Sequence, residues 1–119
     1  MRRIDDVTIY QNPAPLLVSR QATFPGIVQL PDGDLLAIFS MGQAFDAADT
    51  RAYVTRSGDE GRSWSEPVRL NAHESHPEES ESFKPLQLAD GTLLATGYVF
   101  VRPTPLTPVV DPDNRKSVV

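Results

Sequence analysis

Cysteine is missing from all 119 residues, which removes disulfides and thiolate chemistry and leaves the redox compartment open. Long apolar runs are missing too. None approaches the length of a membrane-spanning helix, so no membrane partner is expected. Positive charge is scarce, with 11 Lys+Arg against 16 Asp+Glu and a formal net charge of −5. An acidic chain is a poor binder of polyanions, which argues against nucleic acid as a partner. No segment has a convincing helical period, although 43–50 has the makings of a single helical turn. The opening "MRRIDDVTIY" has two arginines but no apolar segment after them, so no signal peptide is read there. The default compartment is the cytoplasm, with secretion the alternative if a leader is missing.

Turn formers, by contrast, are plentiful. Eleven prolines and seven glycines favour short strands over long helices. The length suits one small domain, and a hydrophobic fraction of 39% permits a core.

"QLPDGDLLA" at 29–37 returns as "QLADGTLLA" at 87–95, identical at seven of nine positions and offset by 58 residues. Each copy has an apolar strand, a two-residue Asp-Gly turn and a second apolar strand, the pattern of a β-hairpin. A period somewhat above fifty residues indicates a repeated supersecondary unit. In the first unit, strands are expected at 26–30, 34–40, 51–57 and 63–70, forming one antiparallel sheet in sequence order. In the second, the hairpin is expected at 86–101, followed by a proline-rich loop. "RKSVV" at 115–119 has the look of a third strand, so the chain is expected to stop inside that unit.

Between the third and fourth strands lies "SGDEGRSW" at 57–64. It fits S-x-D-x-G-x-[ST]-W at every fixed position, a chance event on the order of one in a million windows. Asp59 is suited to accept backbone N–H bonds, and Gly61 to a conformation closed to side chains. Ser57 and Ser63 can brace the turn from its two ends. Trp64 is expected to be largely buried against the sheet. A calcium loop is the rival, but the D-x-[DN]-x-[DN]-G spacing is lacking.

This stretch resembles the Asp-box, or bacterial neuraminidase repeat, of sialidase-like β-propellers. In that family the box joins strands three and four of a blade, on the rim opposite the active site. The resemblance covers about residues 20–101 and implies an all-β, sialidase-like β-propeller. About two four-stranded antiparallel blades of a presumed six would be present, the second incomplete. The expected divisions are an N-terminal segment at 1–23 that could close another blade and a first blade at 24–70. An acidic inter-blade loop at 71–85 and a partial second blade at 86–119 follow.

The resemblance also directs attention to particular residues. The family opens its first blade with Arg-Ile-Pro, whose arginine binds the substrate carboxylate; here Thr23 stands at that position, in "TFP". A second arginine ends a stretch like A-x-x-E-G-R, where this chain has Gln43. The acid/base aspartate is expected in the following loop, with Asp49 the closer candidate and Asp46 the understudy. Both also read as solvated loop carboxylates. The family's tyrosine nucleophile and its glutamate partner lie in later blades. Glu79, Glu81 and Ser82 enter the second blade from the side of the central site, where the resemblance places them to touch substrate. Arg102, just after that blade's second strand, is placed likewise, to bind a sugar hydroxyl or carboxylate, and also reads as a solvated loop arginine.

His73 and His76, with Glu74, Glu78, Glu79 and Glu81 close by, are ligand types for zinc or manganese. Pro77 argues against the helix that would align them, and no metal or cofactor is expected. Threonine and glutamine cannot replace a bidentate guanidinium. The resemblance therefore implies a carbohydrate-acting protein, a glycoside hydrolase or glycan lyase, that is not a true sialidase. The alternatives are a non-catalytic propeller that binds a glycan or protein, and a structural fragment with no activity of its own. Two partial blades expose strand edges, so self-association or further blades from a longer chain are expected.

Overall fold

Both Asp-Gly repeats form hairpins in a computed structural model, which describes residues 6–13, 20–45, 47–71, 79–104, 106–110, 113–114 and 116. The described residues form strands β1 (Gln21–Gln29), β2 (Leu35–Gly42), β3 (Arg51–Ser57), β4 (Val68–Arg69), β5 (Glu79–Gln87) and β6 (Leu93–Val101). The protein is all-β, and no helix occurs among the described residues. β1 to β4 make one four-stranded antiparallel sheet in sequence order, while β5 and β6 make a second, two-stranded sheet.

The hairpin turns differ in kind from the two-residue Asp-Gly expectation. The Leu30 N–H donates to the Asp34 carbonyl (2.8 Å), and the Gly33 N–H donates back to the Leu30 carbonyl (2.9 Å). Only the glycine has a positive φ, +94° at Gly33 and +87° at Gly91. This is a three-residue loop, a type I turn followed by a left-handed glycine. Pro31 suits this turn in the first copy, because its ring pre-sets φ for the second position of a type I turn. The second hairpin repeats the pattern, with Leu88 N–H to Thr92 O and Gly91 N–H to Leu88 O, both 2.9 Å.

Three strand boundaries depart from expectation. β1 begins at Gln21 rather than 26, because Gln21, Ala22 and Thr23 pair with Gly42, Met41 and Ser40 beyond a bulge between Thr23 and Gly26. The ladder of β4 is confined to Val68–Arg69, not 63–70. Ahead of it the Ser65 N–H still donates to the Arg56 carbonyl (2.9 Å), and side chains supplement that bond: Thr55 Oγ1 donates to the Ser65 carbonyl (2.6 Å) and Ser65 Oγ accepts the Arg56 N–H (3.1 Å). Pro67 in addition has no N–H to give. β5 begins at Glu79, inside the stretch expected to be a loop, since residues 79–87 pair continuously with 93–101. The strand expected at 115–119 lies outside the described residues, apart from Lys116.

β2 is the buried centre. Among the described residues Ala37, Ile38, Phe39 and Met41, joined by Ala52 of β3, are the buried apolar side chains. Its two faces are covered differently. Phe39 meets the Tyr10 ring at 5.9 Å between centroids, whereas Ser40 donates to the Glu81 carbonyl of β5 at 3.1 Å. That alternation follows the strand period of two. β6, in contrast, is exposed along nearly its whole length.

Candidate functional site

The site begins at the β1 bulge. Phe24 holds φ at 53°, an outlier for a bulky residue and a strain of roughly 1–3 kcal/mol. The second sheet holds it there. The Lys84 ammonium of β5 donates to the carbonyls of Phe24 and, at 3.3 Å, Pro25. It also lies 5.6 Å from the Phe24 ring centroid, a cation–π contact. Burial pushes the Lys84 pKa down from its ordinary value, since leaving water disfavours the charged form.

Beside this bulge a cavity of about 220 Å³ opens between the sheets, with Thr23, Ser40, Thr50, Ser80, Glu81 and Ser82 among its polar lining. Phe24, Phe45, Tyr98 and Phe100 supply aromatic walls. The Phe24 and Phe45 rings stand 5.4 Å apart, and Tyr98 and Phe100 5.1 Å apart. Among the described residues, no lysine, arginine or histidine lines the cavity.

Thr23 and Glu81 therefore share one cavity. Glu81, however, is only 2% exposed and is bound into the first sheet. Its N–H donates to the Thr50 carbonyl (3.1 Å), its carbonyl accepts from Ser40 Oγ, and its Oε2 accepts the Ala52 N–H (3.1 Å). Arg102 is likewise 2% exposed, not solvated, and donates from Nη1 to Ser80 Oγ at 2.8 Å. Arg51 ties the sheets from the other side, donating to the carbonyls of Ala48 (2.9 Å), Thr50 (2.8 Å) and Glu79.

Gln43 and Asp49 meet each other outside the cavity lining. The Gln43 N–H donates to Asp49 Oδ1 at 3.1 Å, closing the loop between β2 and β3. Both residues are exposed, and Asp49 directly precedes the cavity residue Thr50. Asp46 lies outside the described residues, as do His73 and His76.

The 57–64 turn stands at the far end of the same strands. Leu35 pairs with Ser57 and Met41 with Arg51, so about 20 Å of strand separates the turn from the cavity end. Asp59 organises it. Asp59 Oδ1 accepts the Ser63 N–H (2.8 Å) and the Ser57 hydroxyl (2.8 Å), and Oδ2 accepts the Ser63 hydroxyl (2.6 Å). Ser57 Oγ in turn accepts the Gly61 N–H at 2.8 Å, and Gly61 has a φ of +87°. Trp64 is only partly buried, against the expectation of a largely buried ring. Its indole lies beside Gly61 at the end of the sheet, and Nε1 donates to the Gly61 carbonyl at 3.1 Å.

Hydrogen bonds from the Ser63 hydroxyl, the Ser63 N–H and the Ser57 hydroxyl lower the Asp59 pKa from 3.8 to about 2. A carboxyl group with a depressed folded-state pKa stabilises the fold fully above its unfolded value. That contribution disappears as pH falls from about 4 through about 2. The wild-type melting temperature should therefore drop more steeply across this window than that of Asp59→Asn. Parallel acid melting curves for the two proteins would contradict this account of the turn.

Sequence reasoning missed Ser40, Thr50, Phe24, Phe45 and Tyr98 as cavity residues. The period-two alternation of β1, β2 and β6 offered a signal, because it puts Thr23, Ser40 and Tyr98 on single faces. It did not say that β5 would lie against them. Comparison of the chain with known protein families, curated proteins and solved structures finds no match.

Proposed function

We propose that the chain supplies two sheets of a sialidase-like β-propeller whose parent is a glycoside hydrolase acting on a carbohydrate other than a sialoside. The position of the cavity is the observation that carries this reading. It opens between the two sheets at the end of β2 and β3 opposite the 57–64 turn, as a propeller's central site lies opposite its Asp-boxes. Its lining of hydroxyls and aromatic rings suits a sugar, which offers hydroxyl edges and apolar ring faces. The exposed Leu93, Val99 and Val101, on one face of β6, form a surface that further sheets of such a ring would cover.

Asp49 is the acid/base residue of this reading. It is exposed at the loop beside Thr50 and is oriented by the Gln43 N–H, in keeping with a proton-transfer role in glycoside cleavage. The same hydrogen bond favours a second reading, in which Asp49 only closes its loop and the propeller binds a glycan without cleaving it. A sialoside suits neither version, because among the described residues the one guanidinium beside the cavity, that of Arg102, is buried and engaged with Ser80 instead of being presented to clamp a carboxylate.

The chain should release no fluorophore from a fluorogenic sialic acid substrate, while retaining neutral glycans on an array. Sialoside turnover would overturn the reading, and so would a failure to retain any glycan. Asp49→Asn separates the two versions in the parent protein. Loss of neutral glycoside turnover with binding intact supports the hydrolase.

A further inference from the structure

We infer that Phe24 is the residue against which the cavity seats a sugar ring, and that Lys84 is the positioning residue that holds it there. This rests on the carbohydrate reading above and deepens it to a binding residue and its support.

The first observation is a conformation that the sequence opposes. Phe24 holds φ at 53°, a region that suits glycine or asparagine and not a bulky ring. Pro25 also steers the residue before it towards extended backbone. Among the described residues the other left-handed positions, Gly33, Glu60, Gly61 and Gly91, lie in turns, whereas Phe24 lies within β1. Burial does not account for the side chain, because Phe24 is 43% exposed. A bulge with only a structural purpose would be better served by glycine at this place. Strained residues of this kind cluster at ligand clamps.

The second observation is what keeps the strain in place. β1 lies flush on β5 just after the bulge: a Cβ at Gly26 would sit 2.8 Å from Pro85 Cδ and 3.1 Å from Lys84 Cδ. From there the Lys84 ammonium donates to the carbonyls of Phe24 and Pro25 and lies 5.6 Å from the Phe24 ring centroid. One cation of the second sheet thus holds both the main chain of the bulge and its ring.

The third is where the ring stands. Phe24 meets Phe45 at 5.4 Å between centroids, and both line the cavity with Tyr98 and Phe100 of the second sheet. Phe45 and Tyr98 are 62% and 61% exposed. This open aromatic surface lies beside the hydroxyl-bearing Thr23, Ser80 and Ser82 of the same lining. A pyranose matches the combination, with a C–H face for the rings and a hydroxyl edge for the serines and threonine.

The test is a nuclear magnetic resonance titration of the full chain with methyl β-glucoside, methyl β-galactoside, methyl α-mannoside and, as a non-sugar, indole. At least one glycoside should bind and shift the Phe24 amide resonance. Phe24→Gly and Phe24→Ala should each weaken it about tenfold, the effect of one lost stacking contact, and Phe24→Tyr should retain it. Phe24→Gly should also melt above Phe24→Ala, the reverse of the order at an ordinary strand position. Lys84→Met should weaken the glycoside severalfold in the wild-type chain and cause no further loss in the Phe24→Gly background. Glycoside affinity unchanged by Phe24→Gly, or a glycine variant that melts below the alanine one, would overturn the inference and leave a carbohydrate site in place. An equal loss from Lys84→Met in both backgrounds would overturn the positioning role. Indole bound in preference to every glycoside, or no ligand bound at all, would overturn the inference and the carbohydrate reading together.

Discussion

Replacing Gly97 with alanine should open the β5–β6 hairpin. Gly97 pairs with Phe83 across the two strands. A Cβ at Gly97 would sit 1.9 Å from the Ser82 carbonyl oxygen and 2.8 Å from Phe83 Cα. Both are backbone atoms, so no rotamer change relieves the overlap, and the strands themselves must separate. Overpacking usually costs about 1–3 kcal/mol, and a backbone clash belongs at the top of that range. At about 4 °C per kcal/mol for a chain of this length, the melting temperature should fall by roughly 10 °C. Amide exchange should locate the damage, with protection lost along 79–87 and 93–101 and kept longer along β2 and β3. Thr96→Ala, an exposed neighbour on the same strand, should change stability by no more than about 0.5 kcal/mol. Undiminished protection of β5 in the Gly97 variant would show that the two strands pair in another register.

The hairpins were legible because their signals are local. Gly33 and Gly91 mark positions that only the turn geometry decides, and the flanking apolar runs fix the strands on either side. The 57–64 turn was legible for the same reason: Ser57, Asp59, Gly61 and Ser63 satisfy one another within eight residues. Even there the reading went wrong in detail. The Asp-Gly pair formed the end of a three-residue loop in both copies, with Pro31 in one and Ala89 in the other, and Trp64 came to lie beside Gly61 at the edge of the sheet, only partly buried.

What could not be read was the meeting of the two sheets. Nothing in the run Glu79-Ser80-Glu81-Ser82 looks like a strand, since two carboxylates and two hydroxyls have poor β propensity. The context overrides that preference. Ser40, Thr50, Arg51 and Ala52 of the first sheet offer partners to this segment, so its polar groups are satisfied as a strand and not as a solvated loop. The cavity is a by-product of the same docking. Thr23 was singled out as a stand-in for a missing arginine, yet it reaches the cavity simply because the bulge after it turns the strand. Asp49 and Gln43 were paired by spacing with a distant family, and the contact they make is with each other.

Glu81 is the residue for which sequence and structure assign the most different roles, and Glu81→Ala separates them. If the side chain served only to touch substrate, its removal would change binding and leave the fold unharmed. The geometry gives it another task. The Ala52 N–H on β3 lies beyond the short β4 ladder, whose regular pairing with β3 is Tyr53 with Arg69 and Val54 with Val68. Glu81 Oε2 accepts that N–H in place of a strand neighbour. Ala52 is 0% exposed, so alanine at 81 would leave a buried donor with neither protein nor bulk water to accept it. The cost of such an orphan is about 1–3 kcal/mol, or a fall in melting temperature of roughly 4–12 °C. Glu81→Gln keeps an acceptor oxygen at the same reach and should recover a large part of the loss. The Ala52 amide should exchange much faster in the alanine variant, while the main-chain bonds from 81 to Thr50 and Ser40 persist. A melting temperature unchanged by Glu81→Ala, together with altered glycan binding, would return the residue to the substrate and leave the joint between the sheets to Arg51 and Ser40.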